Sequence, residues 1–484
     1  MKQKSLVKNA LFNLAYKILN VLFPLITTTY VSHVLMADGV GKVSYANNIV
    51  SYFVLVAALG FPSYGVREIA TVSQKREECS KVFSELFIIN FCSTLICTIA
   101  YFVMINSASG FKRCYELYII FGVYLFFQIF NVDWFYQGKE EYVYISVRSI
   151  IVKMISVACL FLFVKEKEDF DKYAIINCMG ICGNYFWNII HIRKYASLTF
   201  KGLNFKRHFR SILALVVCAF ANELYAKVDI TMLGVMTNDS VVGYVNNSHR
   251  IITMVLTITT AISLVFLPRL SYYYKNEREN FNNLLNYAGR LIIFISVPCW
   301  LGTVLIAPRL VPLMFGSTFM PAIVTTQILS GLILVRGIGD IFCYQVIISS
   351  GNESKLVMPY CIGALLNIIL NYMTIPAFSQ NGASVSTVIS EFAINCMLFY
   401  YSSKYVKFEL DKKFMLSVFA SAAALAVGVF LVQLLPVNIL LMILLEMAAG
   451  AFGFIVVAYV TKNAILMDII DKVLSKLKRR TQEA

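Results

Sequence analysis

Long apolar segments separated by short polar breaks recur from one end of the chain to the other. A membrane-spanning helix needs about 20 predominantly apolar residues, because the hydrocarbon core of a bilayer is about 30 Å thick. The predicted spans are 9–32, 41–64, 83–105, 115–136, 143–164, 173–191, 211–236, 241–267, 287–307, 320–348, 356–376, 381–401, 414–435 and 437–460. The pattern therefore predicts an all-α polytopic membrane protein with about fourteen transmembrane helices.

Composition agrees with this pattern. Hydrophobic residues make up 59% of the 484 residues and charged residues only 14%, which excludes an ordinary water-soluble domain. The formal net charge is +15, and a basic surface is the usual footprint of a nucleic-acid partner. Here the positive charges concentrate in every second loop, which is the bias that sets membrane orientation. We therefore predict no nucleic-acid partner.

The distribution of Lys and Arg predicts the orientation. With the N-terminus inside, about 29 of the 42 Lys and Arg residues fall in cytoplasmic segments and about 7 in external ones, as the positive-inside rule requires. Both termini are then cytoplasmic. Cys79 is predicted to be accessible from the cytoplasm and Cys114 from outside.

A weak internal repeat suggests how the chain divides. The sequence Tyr-x-Asn-Asn occurs at Asn47 and Asn48 near the external start of span 2, and again at Asn246 and Asn247 near the start of span 8. This predicts two parallel six-helix bundles related by pseudo-two-fold symmetry, plus two C-terminal helices. The predicted regions are an N-terminal lobe (1–191), a basic cytoplasmic linker (192–210), a C-terminal lobe (211–402), helices 13 and 14 (403–461) and a basic tail (462–484).

The tail has an apolar helical stripe beside a basic face. Such a helix suits the surface of an anionic leaflet, although a merely solvated tail is an equal alternative. The twelve cysteines are scattered, with no C-x-x-C pair, so we predict no metal site. We predict no cofactor either.

Twelve ionisable residues fall within the predicted spans, where each costs several kcal/mol unless it faces a cavity or a partner. The cations are Lys17, Arg148, Lys153, Lys227, Arg250 and Arg336, and the acids are Asp133, Glu223, Asp229, Asp340, Glu391 and Glu446. The spacing of Glu223 with Lys227, and of Arg336 with Asp340, predicts i, i+4 ion pairs on one helix face.

The first half then holds three cations, Lys17, Arg148 and Lys153, against one acid, Asp133. A net positive interior suits a phosphate-bearing substrate. Lys17 and Arg148 lie near helix ends and could extend to the interface, whereas Lys153 lies halfway along its span.

Other polar residues within spans are candidates for lining a cavity or for binding sugar, namely Asn47, Asn48, Asn246, Asn247, Arg250 and Arg336. Candidates for ion pairing or energy coupling are Asp133, Glu223, Lys227, Asp340 and Glu391. No nucleophile and base stand at recognisable spacing, and the external loops are short. A membrane-embedded polymerase or acyltransferase is therefore disfavoured.

Several motifs point to a known family. They are Gly60-Phe61-Pro62-Ser63-Tyr64-Gly65-Val66-Arg67-Glu68-Ile69-Ala70, Asp133-Trp134-Phe135-Tyr136-Gln137-Gly138-Lys139-Glu140, Asp229-Ile230-Thr231-Met232-Leu233-Gly234, Leu267-Pro268-Arg269-Leu270-Ser271 and Gly351-Asn352-Glu353-Ser354-Lys355. Together they resemble the bacterial polysaccharide-transport proteins. These are the O-antigen and capsular repeat-unit flippases of the multidrug/oligosaccharidyl-lipid/polysaccharide exporter superfamily.

The resemblance implies two six-helix bundles around a V-shaped cavity and alternating access from the cytoplasm to the outside. It implies an undecaprenyl-pyrophosphate-linked oligosaccharide as substrate, membrane lipids as surroundings, and a polysaccharide polymerase with chain-length machinery as partners. A multidrug or peptidoglycan-precursor (lipid II) exporter of the same superfamily is the alternative. The sugar and the coupling ion stay open.

Overall fold

The computed structural model describes the backbone of residues 6–406 and 411–483. Side chains are described from residue 23 onward within these ranges, apart from residues 63, 109, 113, 209–211, 213–222, 224–225, 473 and 476–483. The described part of the chain folds into α-helices and short 3-10 or π-helical turns, and contains no strand. Because a bilayer offers no water to free backbone groups, helices that satisfy their own N–H and C=O groups are the expected solution.

The chain divides into two compact units. The first unit, Met1–Gly243, contains α1 (Leu6–Ala58), α2 (Phe61–Val72), α3 (Arg76–Ser107), α4 (Tyr115–Phe127), α5 (Asp133–Gly138), α6 (Tyr142–Phe163), α7 (Phe170–Ile192) and α8 (Lys206–Met236). The second unit, Tyr244–Ala484, contains most of α9 (Asp239–Asn276), then α10 (Arg278–Phe315), α11 (Ala322–Asp340), α12 (Val357–Ser402), α13 (Lys412–Val432), α14 (Ile439–Val460) and α15 (Ala464–Glu483).

The predicted all-α polytopic fold is confirmed. Nine of the described helical segments are long and apolar enough to cross a membrane, judged by length and composition. Each of the fourteen predicted spans coincides wholly or largely with helix. The count of fourteen spans stays a prediction, as do the five predicted regions. The boundary between the two compact units follows Gly243, whereas the predicted linker between the lobes is 192–210.

Two long helices each contain a sharp break where a loop between spans was predicted. Met36 interrupts α1 with φ 59° and ψ −175°, and Ser379 interrupts α12 with φ 51° and ψ −129°. A positive φ is uncommon for a residue with a side chain. Predicted spans 1 and 2, and likewise 11 and 12, are therefore joined by one-residue breaks within otherwise helical chain.

The fourth predicted span is not one continuous helix. α4 ends at Phe127, a 3-10 turn covers Gln128–Phe130, and the helix restarts as α5 at Asp133. Such a break leaves carbonyl groups without their usual helical donors. The side-chain amide of Asn90 on α3 donates to the carbonyls of Gln128 and Ile129, at 3.4 and 3.2 Å. The break is thus stabilised from inside the protein, as irregular backbone at membrane depth must be.

Glycines allow very close helix contacts in the first unit. A Cβ atom at Gly41 of α1 would lie 1.6 Å from the carbonyl oxygen of Asp239, and one at Gly234 of α8 would lie 2.1 Å from the ring of Tyr45. Neither distance is compatible with a side chain, so glycine is required for both of these close contacts.

The tail helix α15 begins inside the second unit. Ile465 and Leu466 are buried with residues of α10, α13 and α14, and the hydroxyl of Tyr287 donates to Asp468 at 2.9 Å. The start of the predicted apolar stripe therefore contacts protein. Ile469 and Leu474 farther along are exposed, so binding of this face to a leaflet stays a prediction.

Candidate functional site

The first unit contains an ion pair whose guanidinium is buried. Arg148 of α6 is only 5% exposed, and its Nη2 atom lies 2.9 Å from Oδ1 of Asp133. Its Nε donates to Asn184 at 3.1 Å and its Nη1 donates to Asn188. Asn188 also donates to Asp133 at 2.7 Å. Each of the three guanidinium nitrogens has an acceptor, as burial of a charge requires.

The interrupted helix explains the position of the carboxylate. Asp133 is the first residue of α5, and the N-terminal end of a helix stabilises negative charge. In a continuous helix from Tyr115 this residue would have no such end beside it. The restart at Asp133 therefore aims a carboxylate at α6 and α7.

Lys153 lies in a separate small cavity of about 170 Å³ between α1, α6 and α7. It is half-buried, and its Nζ atom lies 5.8 Å from the centre of the Phe23 ring. Thr27 and Ser156 share this cavity, and their hydroxyls donate to carbonyls of their own helices, at 2.9 and 3.0 Å. The cavity thus combines one cation with polar and aromatic neighbours.

The three cations predicted to act together are not equivalent. Arg148 is compensated by Asp133, and Lys153 occupies its own cavity five residues farther along α6. The side chain of Lys17 lies outside the described residues. Their common role in binding phosphate stays a prediction.

A second cavity, of about 210 Å³, opens beside the break between α4 and α5. We call it the amide pocket, because carboxamide side chains dominate its polar lining. It is lined by Ala58, Phe61, Pro62, Asn90, Gln128, Asn131, Asp133, Trp134 and Gln137. The sequence prediction included only Asp133 of these residues. The sequence signal that could have indicated this pocket is the presence of three carboxamide residues, Gln128, Asn131 and Gln137, within ten residues at the end of a predicted span.

The asparagines of the sequence repeat have different environments. Asn48 is buried and donates to Thr231 of α8 at 2.7 Å, and Thr231 also bonds the hydroxyl of Tyr52 at 2.9 Å. Asn47 is exposed. In the second unit Asn246 donates to the buried Asn247 at 3.5 Å. Asn48 thus joins two helices.

The predicted ion pairs within helices differ in outcome. Lys227 and Glu223 of α8 are in contact at 2.5 Å, as the spacing predicts. Arg336 of α11 donates instead to the buried Glu391 of α12. Oδ2 of Asp340 is buried and has no hydrogen-bond partner among the described residues. Arg250 is half-buried in α9.

Two buried acids have partners that the sequence did not reveal. Glu446 of α14 is fully buried and pairs at 2.6 Å with Arg309 of α10. Glu85 of α3 accepts from Arg207, from His208 at 2.8 Å and from the backbone of Asn204 at 2.6 Å. Both acids therefore stabilise packing between helices or between a helix and a loop.

Among the described residues, no group of three or more His, Cys, Asp or Glu side chains is arranged to hold a metal ion. The described polar features of the first unit that bear on the candidate site are the Arg148–Asp133 pair, Lys153 in its own cavity, and the amide pocket.

Comparison with known proteins identifies a family and several relatives with similar sequences. The family described as "Polysaccharide biosynthesis protein" matches residues 6–274. The chain is 24% identical over 380 residues to a putative O-antigen transporter of Shigella dysenteriae, covering 78% of this chain and 94% of that protein. It is 19% identical over 404 residues to a putative O-antigen transporter of Escherichia coli (strain K12), covering 81% and 96%.

The fold is similar to that of a solved transporter. The structure titled "Lipid II flippase MurJ, inward closed conformation" superposes with a TM-score of 0.75 at 18% identity, over 95% of this chain and 100% of that one. At this level of identity the likeness concerns the fold.

Proposed function

Because the chain belongs to the polysaccharide biosynthesis protein family, we propose that it is a flippase for lipid-linked sugar units. In this proposal it moves undecaprenyl-pyrophosphate-linked oligosaccharide repeat units from the inner to the outer leaflet of the cytoplasmic membrane by alternating access. The product would supply capsule or O-antigen synthesis. The predicted family resemblance is confirmed, and the relatives are named O-antigen transporters.

The observation that supports this proposal most is the polar interior of the first unit. A drug-sized apolar cation would gain little from Lys153 in its cavity or from the carboxamides of the amide pocket. A diphosphate that leaves water loses hydration, and fixed cations replace it with charge-assisted hydrogen bonds. Lys153 and the amides are matched to an anionic head that bears hydroxyl groups.

We assign the pyrophosphate to Lys153, with Lys17 and Arg148 nearer the mouth predicted to be cytoplasmic. Since Arg148 is already paired with Asp133, its share of the binding is smaller than the sequence suggested. Lys153 then contributes the main charge. Arg250 and Arg336 of the second unit would contact sugar hydroxyls, or receive the phosphate in the outward-facing state.

Transport of this kind makes and breaks no covalent bond, so no catalytic residue is assigned. A polysaccharide polymerase and chain-length machinery would use the translocated units. Asp133, Glu223, Lys227, Asp340 and Glu391 are the residues to vary in a search for energy coupling.

Deletion of the gene followed by glycan profiling tests the function. We expect complete lipid-linked repeat units trapped on the inner leaflet and loss of surface polysaccharide. Loss of a polymerase would instead leave single units already translocated. Loss of a drug exporter would alter resistance to cationic compounds and leave the polysaccharide unchanged. Intact surface glycan in the deletion strain would refute the proposal.

A further inference from the structure

We propose that the amide pocket binds one sugar ring of the saccharide head. The pocket lies in the first unit where the chain breaks between α4 and α5, and it holds about 210 Å³. This is room for several water molecules, since one water occupies about 30 Å³ in the liquid. The inference rests on the proposed function and adds to it the place where the sugar would be recognised.

A buried donor without a partner points to a ligand. Trp134 lines the pocket and is 4% exposed, and its indole Nε1 has no hydrogen-bond partner among the described residues. An unsatisfied buried N–H costs free energy, and an indole can only donate. A ligand whose acceptor oxygen reaches this nitrogen would remove this cost.

The lining favours a neutral, hydroxyl-rich ligand over an ion. Carboxamides both donate and accept. Asn90 donates to the carbonyls of Gln128 and Ile129, and Asn131 donates to the Gln128 side chain at 3.1 Å. Sugar hydroxyls would pair with the acceptor atoms of these amides and with Gln137. Asp133 and Arg148 form a pair without net charge, with Nη2 and Oδ1 2.9 Å apart. The pocket lining therefore offers neither a phosphate nor a cation an unpaired opposite charge.

Aromatic rings complete the match. The rings of Phe61 and Trp134 lie 6.0 Å apart between centroids, tilted by 32°, and both line the pocket. The face of an aromatic ring is electron-rich and apolar, so it suits the C–H face of a sugar. Donors, acceptors and an apolar wall thus occur together.

The amide pocket adjoins the Arg148–Asp133 pair, and the proposed phosphate site at Lys153 lies farther along α6. Asp133 lines it and bonds Arg148, and Lys153 follows Arg148 by five residues on α6. At about 1.5 Å per residue this separates the two α6 positions by roughly 7.5 Å along the helix. Five residues also turn the helix by about 140°, so Lys153 and Arg148 point to different sides of α6. A saccharide in the amide pocket and a diphosphate near Lys153 would then lie on those two sides.

Tryptophan fluorescence provides a direct test. The sequence has three tryptophans, so the double substitution Trp187→Phe and Trp300→Phe leaves Trp134 as the sole reporter in the full-length protein. The probes are oligosaccharide released by mild acid from the lipid-linked units of the host, and inorganic pyrophosphate. We expect saturable quenching or a shift of emission with the oligosaccharide and none with pyrophosphate.

A matched pair of amide substitutions tests the assignment. Gln137→Leu removes a pocket amide and should raise the half-saturating oligosaccharide concentration about tenfold, the equivalent of one hydrogen bond. The control is Asn106→Leu, which removes an exposed amide near the C-terminal end of α3, outside the lining of the amide pocket. This substitution should leave the half-saturating concentration unchanged. In cells, Trp134→Phe should reduce polysaccharide export, and Trp187→Phe should not.

The two proposals fail in different ways. A silent Trp134, or equal responses from Gln137→Leu and Asn106→Leu proteins, would overturn the sugar pocket even if gene deletion traps repeat units inside. A saturable response together with intact surface glycan in the deletion strain would support the pocket and overturn the flippase.

Discussion

Arg148 and Asp133 form an ion pair between α6 and the start of α5, with Nη2 and Oδ1 2.9 Å apart. The two residues differ in exposure, since the side chain of Arg148 is 4% exposed and that of Asp133 is 31% exposed. The carboxylate therefore retains some contact with solvent, whereas the guanidinium depends on its protein partners.

This difference in exposure predicts that removing Asp133 lowers the free energy of unfolding more than removing Arg148 does. Asp133→Leu leaves a buried guanidinium without its counter-ion and should destabilise the protein by about 3 kcal/mol. Arg148→Met leaves a carboxylate that water can reach and should cost less, about 1 kcal/mol. Thermal unfolding of the purified variants measures this. The double variant should be more stable than Asp133→Leu alone, and strict additivity of the two single effects would contradict the pairing.

Lys153 should matter for export through its charge. Lys153→Ala should weaken export, and Lys153→Glu should abolish it because repulsion is added to a lost attraction. Lys153→Arg should retain partial activity, since the charge remains while the geometry changes. Complementation of a deletion strain, scored by surface polysaccharide, measures all three.

The control for charge alone is Lys167→Ala, in the exposed turn between α6 and α7, which should export normally. If Lys17→Ala, Arg148→Ala and Lys153→Ala all reach normal levels and all sustain full export, the pyrophosphate binds elsewhere.

Glu85 should hold the segment between α7 and α8 against α3. It is almost fully buried and accepts from Asn204, Arg207 and His208. Glu85→Ala removes these acceptors and should speed trypsin cleavage after Lys201 about tenfold, because proteolysis follows local opening. Glu78→Ala, at an exposed position of the same helix, is the control. Equal cleavage rates in the two variants would show that Glu85 does not hold this segment.

Asp169 should titrate at unusually low pH. The ammonium of Lys172 and the backbone N–H groups of Lys165 and Glu166 lower the pKa of this carboxyl to about 2. A lowered pKa means that its contribution to stability is complete above the ordinary value of about 3.9 and is lost as the pH falls through about 2. Carbon-13 NMR of labelled aspartate measures the midpoint. Lys172→Ala should move the midpoint upward, and an unchanged midpoint would refute the assigned cause.

The fold was largely predictable because its main signal is local. A run of about 20 apolar residues specifies a span without knowledge of its neighbours, and each predicted span coincides wholly or largely with helix. The break after Phe127 was not predicted, because residues 115–136 are apolar enough to read as one helix. What stabilises the break is Asn90 on another helix.

The site was less predictable because its contacts are distant in sequence. Arg148 is bonded to Asp133, Asn184 and Asn188, and no spacing rule connects these positions. The same reason explains why Arg336 donates to Glu391 of α12, where i, i+4 spacing had suggested Asp340. Spacing succeeded for Glu223 and Lys227, whose contact lies within one helix.

The orientation of the chain can be tested with single cysteines in a cysteine-free background. Cys79 is unsuitable as a reporter because it is fully buried, so the neighbouring exposed position is used as Glu78→Cys. Lys112→Cys, at another exposed position, reports on the segment between α3 and α4. An impermeant maleimide should label Lys112→Cys in intact cells, and Glu78→Cys only after permeabilisation, because basic loops stay inside. The reverse pattern would place the Arg148 end of α6 outside. Arg148 would then lie near the external end of its span, so both the predicted orientation and the cytoplasmic mouth assigned to Arg148 would be wrong.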